Sequence, residues 1–84
     1  MEINKSKGVI EAILFAAGRE VKITELMSAL EASSEEVITL VESMKEDYKN
    51  ENRGLQIVNV GEAYQLSTKQ AYHTRCRFYG LLYV

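Results

Sequence analysis

Residues 8–18 read Gly8-Val9-Ile10-Glu11-Ala12-Ile13-Leu14-Phe15-Ala16-Ala17-Gly18. At the helical spacing, Ile10, Ile13, Leu14 and Ala17 fall on one stripe with Val9 at its edge, the pattern of a helix packed into a small core. The other side is also nearly free of charge: Gly8, Ala12, Phe15 and Ala16 occupy it, and Glu11 alone breaks it. A helix apolar nearly all round is usually buried on two sides, and a chain of 84 residues covers one of them easily. The run therefore predicts both a core and a partner, with Gly8, Ala12, Phe15 and Ala16 as the partner-binding residues. Gly8, Ala12 and Ala16 recur every four residues and permit close approach of a second backbone, beside which Phe15 can insert into a neighbour. Leaving Phe15 exposed would forgo roughly 1.5–3 kcal/mol of burial. The competing reading covers this face with another part of the same chain.

Outward from this run, residues 1–7 read as a frayed start to the helix, with Ile3 tucked down. Gly18 stands where a left-handed C-cap is wanted, a conformation glycine adopts without a Cβ clash. Arg19 to Lys22 make a short turn with Val21 pointing inward, and a brief second helix begins near Ile23 with Ile23, Leu26, Ala29 and Leu30 on its apolar stripe. Lys22 is a poor N-cap, although Glu25 suits the helix dipole and Thr24 offers a cap for a later start. Ser33 followed by Glu36 is a capping-box pattern. Val37, Leu40, Val41, Met44 and Tyr48 then mark an amphipathic third helix running to about Asn50, with Leu40 a central core position.

Beyond the turn Asn52-Arg53-Gly54 the period changes. Leu55, Ile57, Val58 and Val60 read as one strand, Gly61 turns the chain, and Tyr64, Leu66 and Thr68 alternate with Gln65 and Ser67 as a second. An isolated hairpin is marginal, so this one must lie on the helices. Three helices followed by a hairpin predict an α+β, mainly helical fold, a winged helix with a β-hairpin wing over residues 1–72. Residues 73–84, HTRCRFYGLLYV, read as a short C-terminal tail, natural, truncated or non-native. The hairpin, or Phe78, Tyr79, Leu81, Leu82, Tyr83 and Val84 of that tail, would be what covers Phe15 under the competing reading.

Composition restricts the function. Apolar residues make up 46% and charged residues 26% of the chain, which argues for an ordered globular domain. One cysteine forms no internal disulfide, and no apolar run reaches the roughly 20 residues of a membrane span, so a cytoplasmic location is expected. Charge is uneven. Residues 31–52 carry seven acids against Lys45 and Lys49, whereas residues 53–84 carry one acid against Arg53, Lys69, Arg75 and Arg77. The third helix, which reads the major groove in DNA-binding winged helices, bears Glu35, Glu36, Glu42, Glu46 and Asp47 and repels a polyanion. The alternative to a protein-binding module is a DNA-binding transcriptional regulator using wing and tail, with those four bases on the backbone and Tyr72 and Tyr79 stacking on bases. Catalytic and metal residues are not expected: His73 and Cys76 lie three apart with no second ligand pair, and the glycines are scattered singly rather than in a phosphate loop. No cofactor is implied.

Four segments carry a resemblance: Ile10 to Gly18, Ile23-Thr24-Glu25-Leu26, Asn52-Arg53-Gly54-Leu55-Gln56-Ile57 and Tyr64-Gln65-Leu66-Ser67-Thr68-Lys69. Together, over Val9 to Tyr72, the chain resembles the N-terminal winged-helix domain of segregation and condensation protein B. It departs from that family at Glu20, where proline is common, at Lys22, where a capping serine is common, and at Glu62-Ala63, where a glycine pair is common. The family's second winged-helix domain is absent from this sequence. The resemblance implies a non-enzymatic subunit of the bacterial SMC condensin complex, nucleoid-associated and acting in chromosome condensation and segregation. It implies a homodimer that joins the kleisin, segregation and condensation protein A, and the SMC ATPase, without sequence-specific DNA binding and without a membrane.

Overall fold

A computed structural model describes residues 2–50 and 52–72. Three helices, α1 (Ile3–Ala17), α2 (Ile23–Leu30) and α3 (Ser34–Asp47), alternate with and precede three strands, β1 (Val21–Lys22), β2 (Leu55–Val60) and β3 (Ala63–Thr68), before a 3-10 turn at Gln70–Tyr72. The predicted tail, with His73, Arg75, Cys76, Arg77 and Tyr79, lies outside the described residues.

Local chemistry sets most of the boundaries. Gly18 ends α1 at φ 61° and ψ 18°, the left-handed cap expected of it. The frayed start does not occur. The Glu2 carboxylate accepts from the Asn4 N–H at 3.0 Å, so α1 begins at Ile3, and Ser6 is already buried. Ile3 is not tucked down but 64% exposed. At α2 the weak cap Lys22 is relieved from the other end: its own N–H donates to the Glu25 carboxylate at 2.8 Å, and the helix starts at Ile23 rather than after Thr24. The capping box of α3 forms as read, with Glu36 N–H donating to Ser33 Oγ and Ser33 N–H to the Glu36 carboxylate, each at 3.2 Å. α3 stops at Asp47, short of Asn50, with Tyr48 as its C-cap.

The core comprises Ile10, Leu14, Val21, Leu26, Val37 and Val41, all essentially inaccessible, together with Met44, Tyr48, Ile57, Tyr64 and Leu66. Two positions read as core are not central. Leu40 is half-buried, because the buried line of α3 runs through Val37, Val41, Met44 and Tyr48 and Leu40 lies about 70° off it. Ala29 is exposed: α2 is rotated so that Met27, half-buried, takes the inner side instead.

The sheet has one strand more than the predicted hairpin. β2 and β3 pair antiparallel from Leu55↔Thr68 to Val60↔Ala63, joined at Gly61-Glu62 with Gly61 at φ 61°, the positive φ that a two-residue primed turn requires. The segment expected to be a mere turn is extended: Val21 pairs with Tyr64 and Lys22 with Ala63, giving the order β1-β3-β2. Burying the Val21 side chain lays its backbone along the free edge of β3, and the Ile23 N–H continues the contact by donating to the Glu62 carbonyl at 3.0 Å. The result is a winged helix whose wing is tied back to the α1–α2 connection.

Candidate interaction surface on the first helix

Gly8, Ala12, Phe15 and Ala16 lie together on the side of α1 turned away from the core, and all four are exposed. Phe15 is 76% exposed, the most open of the large apolar side chains described. The hairpin does not cover it. Leu55 of β2 and Leu66 of β3 instead form, with Gly8, Ala12 and Phe15, a shallow groove beside the helix, and Ala16 lies beyond its end. Nothing stands within 4 Å of the place where a Gly8 side chain would begin, so the small residues leave an open floor for a second backbone.

The polar boundary of this face escaped the sequence reading. Glu11, the single charge in the apolar run, accepts a hydrogen bond from the Tyr48 hydroxyl at the end of α3. Arg53 lies over the Tyr48 ring at 4.8 Å from its centre, with its guanidinium 3.9 Å from the Glu11 carboxylate. Burial, reinforced by that carboxylate, pushes the Tyr48 phenol up to about 12. One turn earlier, Lys7 pairs with Asp47 at 2.9 Å. Two polar links thus join α1 to α3 beside the outward face, whose opposite side is set by the buried Ser6, Ile10 and Leu14. The isolated Glu11 was the available signal: a lone carboxylate in an apolar helix wants a donor nearby.

The other candidates are distributed differently. Glu42 pairs with Lys45 on α3 at 3.0 Å, and Glu46 with Lys49 just past its end at 2.5 Å, so both lysines are matched by acids. Lys45 also bonds Asn59 and stands 5.5 Å from the centre of the Tyr64 ring. Of the bases assigned to a DNA-binding reading, Arg53 is taken up by Glu11 and Tyr48, and the Lys69 ammonium donates to the Asn50 carbonyl at 2.8 Å. Lys69 and Tyr72 do line one groove with Lys45 and Lys49, whereas Arg53 is not part of it. Among the described residues no group of three or more His, Cys, Asp or Glu is placed to hold a metal ion, and no helix is long and apolar enough to cross a membrane.

A sequence model of the family described as segregation and condensation complex subunit ScpB matches residues 8–79. Segregation and condensation protein B of Brevibacillus brevis is 48% identical over 69 residues, which cover 81% of this chain and 36% of that protein. The chain spans about a third of the length of the curated relatives it matches. A crystal structure of a dimer of the ScpB N-terminal domain complexed with a ScpA peptide is similar with a TM-score of 0.87 and 29% identity, covering 92% of this chain and 96% of that one. The fold is shared with ScpB from Mycobacterium tuberculosis, with a TM-score of 0.86 at 18% identity over 94% of this chain and 49% of that one.

Proposed function

The chain belongs to the family of segregation and condensation complex subunit ScpB, and from that premise we propose that it is a non-enzymatic subunit of the bacterial SMC condensin complex, self-associating through α1 and joining the kleisin ScpA. The observation that carries the reading is Phe15, 76% exposed on a helix face otherwise built of Gly8, Ala12 and Ala16. Burying such a ring against a second copy recovers roughly 1.5–3 kcal/mol at each of the two symmetric positions. Support also comes from the similar ScpB N-terminal domain, which is a dimer complexed with a ScpA peptide. In this role residues 1–72 form the winged-helix domain, the SMC ATPase is a partner beside the kleisin, and the protein works in the cytoplasm at the nucleoid in chromosome condensation and segregation.

The experiment is sedimentation equilibrium of the chain with and without ScpA, beside a titration of labelled duplex DNA at low and physiological salt. Dimers that take up ScpA, with no DNA binding at either salt, are the expected outcome. Tight DNA binding that survives physiological salt would replace this reading with the regulator that uses wing and tail.

A further inference from the structure

The groove beside Phe15 ends in charge. Glu11 lies one turn from Gly8 and one turn from Phe15, and it borders both that apolar groove and the adjoining hollow formed with Lys7, Asp47, Tyr48 and Arg53. Its contact with Arg53 is the longest ion pair among the described residues, 3.9 Å against 2.5–3.3 Å for the others, and both side chains are half exposed. The Tyr48 hydroxyl and the guanidinium both address Oε2 of Glu11, which leaves Oε1 without a partner among the described residues. Arg53 rests one face on the Tyr48 ring. A guanidinium carries five N–H donors in its plane, so Arg53 can take up a second carboxylate without leaving the ring.

Self-association on this face constrains what those charges meet. Gly8 and Phe15 stand about one turn to either side of Ala12 along α1. Two α1 helices that cross antiparallel at Ala12 therefore seat Phe15 of one copy over the open floor at Gly8 of the partner subunit, in a two-fold contact where the same patch serves both copies. The same symmetry turns like flanks of the two helices toward one another. Glu11 lies on that flank, so the two carboxylates approach and repel unless a base stands between them. Arg53 is beside Glu11 on this flank.

We propose that in the self-associated form Arg53 of each copy pairs with Glu11 of the partner subunit, and that this reciprocal exchange makes the α1 face select its own copy. The inference rests on self-association through α1 and adds the residues that give it selectivity. A flank carrying one acid and one base is complementary to itself under two-fold symmetry, whereas a uniformly acidic or basic surface leaves one of the two charges opposed. Phe15 alone discriminates little, because an apolar ring enters any shallow apolar groove.

The test is sedimentation equilibrium of Glu11→Arg and of Arg53→Glu at about 0.15 M salt, each alone and as an equimolar mixture. Alone, each variant opposes like charges twice across the two-fold axis and is expected to self-associate at least about tenfold more weakly than the parent. The mixture should return to within about threefold of the parent Kd, because in the mixed dimer both cross-pairs join opposite charges. If Glu11→Arg loses its helical circular dichroism for want of an acceptor for Tyr48, the same reversal combined with Tyr48→Phe removes that demand. Raising salt from about 0.05 to about 0.5 M should weaken self-association of the parent and have little effect on Arg53→Gln, since a pair closed within each copy is the same before and after association. A mixture as weak as either variant alone, single variants as tight as the parent, or an unchanged salt dependence in Arg53→Gln would each overturn the cross-pairing. Failure of self-association through α1 reads out separately, as a Phe15→Glu variant that keeps the parent Kd.

Discussion

The Tyr48 hydroxyl donates to the Glu11 carboxylate across 37 positions of sequence, joining the end of α3 to the middle of α1. The phenol is raised to about 12, first by burial and then by the carboxylate it bonds. An unfolded tyrosine titrates near 10. The neutral phenol therefore stabilises the fold fully below about pH 10, and this contribution is lost as pH rises through about 12. Tyr48→Phe is expected to cost about 1–2 kcal/mol at neutral pH, with the gap to the parent closing in strong alkali. Urea midpoints of the two proteins across that range measure it, and a gap that stays constant would mean Tyr48 does not titrate as the structure requires.

Phe15→Glu should leave the far-ultraviolet circular dichroism spectrum unchanged, since the ring is 76% exposed and contributes little to the core. Sedimentation equilibrium of the same variant should show weaker self-association, by about 2 kcal/mol or more, from two lost ring burials and two introduced charges. Loss of the helical spectrum would place Phe15 in the core after all.

Leu26 and Leu40 offer a comparison within one residue type. Leu26 is fully buried, so Leu26→Ala should cost about 2–5 kcal/mol. Leu40 is half-buried at the edge of the core, and Leu40→Ala should cost less, about 1–2 kcal/mol. Equal shifts in denaturation midpoint would show that α3 is turned further toward Leu40 than described.

Glu25 titrates below the usual carboxylate range, chiefly because the Lys22 N–H donates to it, with Arg19 adding a second stabilising contact. The ionised form thus favours the fold above the ordinary glutamate value of about 4.3, and that contribution disappears as pH falls through the lowered value. Glu25→Gln should be less stable than the parent at neutral pH and converge with it in acid. Thermal midpoints of both at several pH values decide, and a difference that persists in strong acid would remove Glu25 from the capping of α2.

What was legible in the sequence is what is local. The Ser33–Glu36 spacing specifies the start of α3, Gly18 the end of α1, and the alternation on either side of Gly61 the wing, because each depends on residues a few positions apart. β1 was not legible: two residues have no period, and Val21 is extended because Tyr64 lies beside it. Leu40 and Ala29 were misplaced by helix rotations that only the packing of neighbouring helices sets. The candidate face was visible as the second apolar side of α1, but its freedom from the hairpin depends on where β2 and β3 settle. Likewise Glu11 was conspicuous in sequence, whereas Tyr48 and Arg53 become its neighbours only through the fold.

The central strand of the sheet, β3, is also the last of the strands to be synthesised. A nascent chain that has released all three helices still has Val21 and Lys22 without their pairing partners, and Tyr64 and Leu66 have yet to close over the core. Long-range pairing of this kind cannot reward the chain until its second half has emerged. The helices therefore emerge from the ribosome before the strand that covers part of their apolar side, and completion of the domain waits on that strand.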